Sequence, residues 1–167
     1  GFDLALRIAY PSDSSLVGRA IATVPRWFCA SPDYLARRGT PRAPVDLLRH
    51  DCLHYNLISE REEWTFSGPE GEEVIATRGT LCSNNGEVLR EAAIAGLGIA
   101  HLPDFIVADA IDDGRLLRVL SNRERPPLTL FALYPSRPFV PAKTRLFIDY
   151  VAERLRTDSP SKGRRGG

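Results

Sequence analysis

The chain has 167 residues, of which 43% are hydrophobic and 26% are charged, and its 22 basic residues nearly balance 21 acidic ones. These values are ordinary for a globular protein in water, and a net charge of +1 excludes a fold-wide basic surface for nucleic acid. The sequence lacks an apolar run of about 18 residues, the length needed to span a membrane, so we expect no membrane partner.

The three cysteines, Cys29, Cys52 and Cys82, are an odd and sparse set. That pattern favours reduced thiols in a cytoplasmic protein over a disulfide framework. Methionine is absent, whereas a native translation product begins with one. We therefore expect these residues to be part of a longer chain.

The first predicted element is a strand over Asp3–Ala9, where apolar and other residues alternate. Leu4, Leu6 and Ile8 share one face of this strand, which predicts that the face is buried.

A second extended segment is predicted over Leu16–Ala30, which is rich in β-branched and aromatic residues. Pro25 should lie at an edge or a bend rather than inside a sheet. Ser31 then caps a short helix that has Pro32 at its first position and ends at Gly39.

Three further elements precede the middle of the chain. Val45–Arg49 is typical of one helical turn, and His50–Leu57 of a strand. Glu60–Thr77 predicts a β-hairpin, because two strand-like runs flank the turn sequence Pro69–Gly71.

The stretch Thr80–Pro103 predicts a strand, a polar turn, a helix and a second strand, in that order. The helix covers Glu87–Ala95 and the second strand Ile99–Leu102, an arrangement that implies a parallel sheet. Open α/β sheets bind ligands at the turn that leaves such a strand, which here is Ser83–Asn85. The helix start also suits a carboxylate or a phosphate. An asparagine in this turn alternatively serves only as the helix cap.

The last third of the chain predicts a helix from Pro103 to Ile111, strands over Arg115–Leu120 and Leu128–Tyr134, and a helix over Lys143–Leu155. Residues 158–167 contain no apolar side chain and are expected to be disordered. The apolar stripe of the last helix is predicted to contain Leu146, Phe147, Tyr150, Val151 and Leu155.

Catalytic and metal chemistry receive little support from the sequence. His50, Cys52 and His54 alternate along one strand, too far apart to share a metal, and a fourth ligand with zinc-site spacing is missing. Cys82, just before a helix, is the least unfavourable nucleophile, although a buried free cysteine is the commoner explanation. We expect no metal, no cofactor and no enzyme activity.

Four blocks of this sequence, in this order, resemble the C-terminal effector-binding domain of LysR-type transcriptional regulators. The blocks are GFDLALRIAY, RWFCASPDYLARRGTPRAPVDLLRHDCLHY, SNNGEVLREAAIAGLGIAHLPDFIVADAIDDGRLLRVL and LFALYPSRPFVPAKTRLFIDYVAERL. The resemblance implies an α/β fold of the type II periplasmic-binding-protein kind, with two lobes.

In that fold, residues 1–27 and 130–157 form a partial first lobe and residues 28–129 form the second lobe. The resemblance implies that the family's winged helix-turn-helix, its linker helix and the first strand–helix–strand of lobe one precede Gly1. Lobe one is therefore expected to be incomplete, with the apolar face of its first strand exposed.

The resemblance also implies that a small anionic effector binds between the lobes and changes the geometry of a dimer or tetramer on DNA. DNA would be bound through the preceding domain. A free-standing solute-binding protein of a transport system is the alternative, and it predicts a signal peptide upstream. The implied effector-binding residues are Ala9, Tyr10, Ser31, Ser83, Asn84, Asn85, Gly98 and Ile99.

Overall fold

The computed structural model describes residues 4–10, 18–56, 63–68, 71–122, 127–134 and 141–157. The predicted hairpin turn at residues 69–70 and the predicted disordered tail at residues 158–167 lie outside these ranges. Within them, no helix is long and apolar enough to cross a membrane.

Ten strands, four α-helices and one 3-10 helix lie in the described ranges. The strands are β1 (Ala5–Ala9), β2 (Gly18–Val24), β3 (Arg26–Ala30), β4 (Asp51–Tyr55), β5 (Glu63–Gly68), β6 (Gly71–Ala76), β7 (Arg78–Ser83), β8 (Ile99–Pro103), β9 (Leu117–Val119) and β10 (Leu128–Leu133). The helices are α1 (Pro32–Arg38), a 3-10 helix (Pro44–Arg49), α2 (Gly86–Ile94), α3 (Asp104–Asp112) and α4 (Ala142–Thr157).

The chain divides into two compact units. Gly1–Val24 and Pro127–Gly167 form the first unit, and Pro25–Pro126 form the second. The first unit thus ends at Val24 and resumes at Pro127. Pro25 lies between β2 and β3, which confirms that it is not inside a sheet.

The first unit contains an antiparallel three-stranded sheet in the order β1-β10-β2. The predicted strand is confirmed over Ala5–Ala9, but the predicted burial of its apolar face is only partial. Leu6 is 49% exposed, and Leu4 and Ile8 are half-buried. An edge strand packs fewer neighbours around its side chains than a central strand, which accounts for this exposure.

Helix α4 packs on the first unit's sheet through Ile148, which is buried with Ile21 and Ala132, and through the half-buried Val151 and Leu155. Part of the predicted apolar stripe is wrong, because three of its members point outward. Leu146, Phe147 and Tyr150 are exposed, Leu146 by 70%.

The second unit contains a five-stranded sheet in the order β7-β4-β8-β3-β9. The predicted strand–helix–strand unit is confirmed: β7 and β8 are both parallel to β4, which lies between them. The sheet as a whole is mixed, however, because β3 is antiparallel to β8 and to β9. The parallel pairing that the sequence predicted is thus present around β4, and the antiparallel strands lie beyond β8.

Both faces of this sheet are covered, so its central strands are apolar on both sides. One face packs against the β5–β6 hairpin, with Phe28, Cys52 and Ile99 in its core. The other face packs against α2 and α3 and includes Cys29 and Leu53.

Candidate functional site

The polar turn after β7 lies at the carboxyl edge of the parallel strands. Ser83 is the last residue of β7 and pairs with Tyr55, the last residue of β4. Asn84 and Asn85 are exposed and Ser83 is half-buried. The structure therefore leaves the amide of Asn84 accessible at the edge where open α/β sheets bind ligands.

Hydrogen bonds hold this turn in place. The carbonyl oxygen of Ser83 accepts from the backbone N–H of Asn56 at 2.9 Å, and its hydroxyl oxygen accepts from the N–H of Asn85 at 3.1 Å. The Asn56 side chain in turn accepts a hydrogen bond from the Cys82 thiol. Asn56 was not among the predicted site residues, because it fell inside the predicted strand His50–Leu57, whereas β4 ends at Tyr55.

Asn85 is the N-cap of α2. Its side-chain oxygen accepts from the N–H groups of Glu87 at 2.9 Å and Val88 at 3.4 Å, and its backbone is extended. The capping role is thus confirmed for Asn85. The side chain of Asn85 is thus already engaged with two N–H groups of the first helical turn. Ser83 and Asn84 are therefore the turn residues better placed to contact a ligand.

Gly86, the first residue of α2, allows close packing beneath the turn. It is buried, and a Cβ atom there would overlap the Cδ1 atom of Ile106 in α3. The start of α2 is therefore pressed against α3, which fixes the position of the polar turn.

The other predicted site residues of the second unit lie at the opposite edge of its sheet. Cys29 pairs with Ala100 in antiparallel register, so Ser31, two residues further, follows β3 beside the start of β8. Gly98 and Ile99 lie at that same start. The length of β8, five residues at about 3.3 Å each, separates this group from the edge that carries Ser83.

Structural roles account for this second group. Ser31 is buried and its hydroxyl oxygen accepts from the N–H of Tyr34 at 3.3 Å, which confirms the predicted cap of α1. A Cβ atom on Gly98 would overlap the carbonyl oxygen of Asp51, and Ile99 is fully buried.

Ala9 and Tyr10 belong to the first unit. Ala9 is the buried last residue of β1 and pairs with Thr129 of β10. Tyr10 follows it and is half-buried.

The cysteines differ in environment. Burial raises the pKa of the Cys29 thiol to about 12 and is also the main cause that raises the pKa of Cys52 to about 12. Both thiols are therefore protonated and unreactive at neutral pH. Cys82 is exposed.

The three residues considered as metal ligands serve other contacts. His50 Nδ1 lies 3.1 Å from the Tyr34 hydroxyl, His54 Nε2 lies 3.0 Å from the Thr77 hydroxyl, and Cys52 lies in the core. Among the residues that the structure describes, no group of three or more His, Cys, Asp or Glu side chains could hold a metal ion.

Comparison with known proteins connects this fold to one family. The model of the LysR substrate binding domain matches residues 1–156. The chain is 40% identical over 143 residues to an uncharacterized HTH-type transcriptional regulator of Haemophilus influenzae, covering 86% of this chain and 50% of the relative. It is 35% identical to the HTH-type transcriptional regulator PtxR of Pseudomonas aeruginosa, covering 92% of this chain and 49% of the relative.

Solved structures agree with this relationship. The regulatory domain of CrgA, a LysR-type transcriptional regulator from Neisseria meningitidis, is 30% identical with a TM-score of 0.75, over 92% of this chain and 75% of that one. The full-length virulence activator AphB of Vibrio cholerae is 32% identical with a TM-score of 0.75, over 92% of this chain and 52% of that one.

The chain spans about half the length of the curated relatives that it matches. Its mixed sheets and helices have the periplasmic-binding-protein-like fold of LysR-type regulatory domains, and the relatives are regulators of transcription. The chain belongs to the LysR substrate binding domain family.

Proposed function

We propose that this chain is the effector-sensing part of a LysR-type transcriptional regulator, and that it binds a small anionic molecule through the polar turn Ser83–Asn85. Binding would alter the geometry of the regulator's oligomer on DNA, with DNA held by another part of the full protein. The observation that carries the proposal is the accessible polar turn, held by hydrogen bonds at the carboxyl edge of β7, β4 and β8.

The chemistry of the turn supports a ligand that accepts hydrogen bonds. The carboxamide of Asn84 and the hydroxyl of Ser83 can both donate to a carboxylate. They precede the positive dipole end of α2, which favours negative charge. Asn85 contributes by fixing the turn, since its side chain is engaged in the cap.

Glu87 opposes the preference of this helix end for negative charge. It lies in the first turn of α2 and is exposed, so its carboxylate weakens the attraction of the helix end for an anion. Because the side chain faces water, solvent screens this repulsion. The balance favours a ligand with modest charge and several hydrogen-bond acceptors.

Membership in a family whose relatives regulate transcription favours the sensor over the two alternatives. A free-standing solute-binding protein is not favoured by relatives named as HTH-type regulators. The same relatives support a non-enzymatic role. A Cys82→Ser variant with an unchanged ligand response would exclude the remaining possibility of thiol chemistry.

The proposal is tested on the full-length regulator that contains this chain. The affinity for operator DNA is measured while acetate, succinate and benzoate are added in turn as carboxylate probes. We expect at least one probe to change the DNA affinity, and we expect Asn84→Ala to abolish that change.

The matched control is Asn122→Ala, which removes an exposed asparagine that follows β9. Strand β9 is the outermost strand on the side of the sheet opposite to β7. This variant should keep the response. A response that is equal in both variants would contradict the assignment of the turn, and the absence of any response would contradict the sensor function for this ligand class.

A further inference from the structure

The 3-10 helix of the second unit presents a row of apolar side chains to water. Because this helix has about three residues per turn, side chains three positions apart lie one above the other. Pro44 and Leu47 form the buried row, whereas Val45 and Leu48 form a second row and are 51% and 53% exposed. One row thus anchors the helix to the core, and the other remains in contact with solvent.

Strand β6 extends this apolar surface. It packs beside the 3-10 helix, and its residue Ile75 is buried in the same core as Leu47. Successive strand residues point to opposite faces, so Val74 emerges on the solvent side and is 55% exposed. We call Val45, Leu48 and Val74 the outer apolar patch.

The two elements that carry the outer apolar patch differ in charge. Arg42, just before the 3-10 helix, and Arg49, at its end, are both exposed, whereas β6 carries the exposed acids Glu72 and Glu73. Asp46 is the acid of the 3-10 helix, and its carboxylate accepts from the backbone N–H of Arg42 at 2.8 Å and from that of the next residue at 2.9 Å. The patch therefore has a basic side on the helix and an acidic side on β6.

The basic side is held in a fixed position. The guanidinium group of Arg38 in α1 donates to the carbonyl oxygen of Arg49 at 3.1 Å, and the N–H of His50 donates to the carbonyl oxygen of Leu47 at 3.1 Å. Both ends of the helix are thus tied down, which reduces the entropy lost when another surface binds here.

An apolar centre between a basic side and an acidic side is complementary to a copy of itself turned by 180°. In that arrangement the 3-10 helix of one copy faces β6 of the other, twice over. Arg42 and Arg49 then lie opposite Glu72 and Glu73, and the outer apolar patches meet at the centre. A partner with one sign of charge would match only one side of this surface, so charge complementarity favours a second copy.

We propose that the outer apolar patch is a self-association surface of this chain, with the 3-10 helix of one copy packed against β6 of a second copy about a two-fold axis. The contact is small, with three aliphatic side chains from each copy, and small interfaces are typical of weak association. The surface lies outside the hairpin layer, whereas the polar turn Ser83–Asn85 precedes α2, so this function is separate from ligand binding.

Sedimentation equilibrium at low salt, over a series of chain concentrations, tests the proposal. We expect a concentration-dependent dimer whose dissociation constant rises at least about tenfold in the double variant Arg42→Glu/Arg49→Glu, and equally in Glu72→Arg/Glu73→Arg, because each places like charges opposite one another. An equimolar mixture of the two double variants should dimerise again, since both contacts of the mixed dimer then join opposite charges. A chain that stays monomeric throughout the series, or a mixture that does not recover dimerisation, would overturn the proposal.

The matched control is Lys143→Glu/Arg145→Glu, which makes the same change in net charge at exposed positions of α4. We expect it to leave the dissociation constant within about two-fold of that of the unsubstituted chain. A loss of dimerisation as large as that in Arg42→Glu/Arg49→Glu would show that net charge, and not this surface, governs association, and it would contradict the assignment.

Discussion

The hydroxyl of Tyr34 lies 3.1 Å from Nδ1 of His50, and the same hydroxyl oxygen accepts from the backbone N–H of Asp51 at 2.9 Å. Both side chains are buried. Because the Tyr34 oxygen is the acceptor for Asp51, its own hydrogen is available to a neutral His50. This relationship joins α1 to the start of β4.

Replacing Tyr34 with phenylalanine removes the shared hydroxyl. The N–H of Asp51 and Nδ1 of His50 would lose a partner in a buried site, so we expect the free energy of unfolding to fall by about 1–3 kcal/mol. Urea denaturation measures the change. Tyr150→Phe, at a 65% exposed position, is the control and should change stability by less than about 0.5 kcal/mol. Equal effects in the two variants would contradict the account.

Acid should destabilise the second unit partly through His50. Burial, followed by the charge of Arg38, lowers the pKa of His50 below its ordinary value, while Asp46 and Asp51 act in the opposite direction. A lowered histidine pKa means that the folded state prefers the neutral ring. Its stabilising contribution is complete above the unfolded pKa of about 6.5 and is lost as the pH falls toward the lower folded pKa.

The variant His50→Gln keeps a hydrogen-bonding side chain but cannot titrate. We expect its urea midpoint to depend less steeply on pH than that of the unsubstituted chain between about pH 7 and about pH 5. Identical slopes in the two proteins would show that His50 does not contribute.

The two asparagines of the polar turn should separate stability from binding. Asn85→Ala removes the acceptor for the N–H groups of Glu87 and Val88, so we expect a loss of about 1 kcal/mol in the free energy of unfolding. Asn84→Ala should leave stability within about 0.5 kcal/mol while impairing ligand binding. The assignment fails if Asn84→Ala destabilises the chain as much as Asn85→Ala does.

Glu87→Gln tests the charge of the ligand. Removing a carboxylate from the first turn of α2 should raise the affinity for a carboxylate probe by about two- to five-fold at low salt. Titration calorimetry with the probe that changes DNA affinity measures this directly. Glu72→Gln, an exposed acid on β6, should have no comparable effect, and a loss of affinity for the carboxylate probe in Glu87→Gln would contradict the electrostatic argument.

Local patterns predicted most of the elements, because caps and turns depend on neighbours in the chain. Ser31, Pro32 and Gly39 bound α1 as expected, and Asn85 begins α2 as a cap. The helix between two parallel strands followed from the alternation of short apolar runs with a helical period.

The direction of β3 did not follow from sequence, because apolar periodicity is the same for a strand running either way. Because β3 is antiparallel to β8, Ser31 lies at the end of the sheet opposite to Ser83. The buried face of α4 was mispredicted for a related reason. This helix has apolar residues on more than one side, and only the element that it packs against decides which side is buried. Ile148, absent from the predicted stripe, is a buried apolar residue of α4.

The central claim is that the turn Ser83–Asn85 contacts an anionic ligand, and side-chain amide resonances of the ¹⁵N-labelled chain test it most directly. Acetate, succinate and benzoate are titrated separately while the amides of Asn84, Asn85 and Asn122 are followed. The account predicts a saturable shift at Asn84 for at least one probe, with Asn122 unchanged. Shifts of equal size at Asn84 and Asn122, or no saturable shift at Asn84 with any probe, would contradict it.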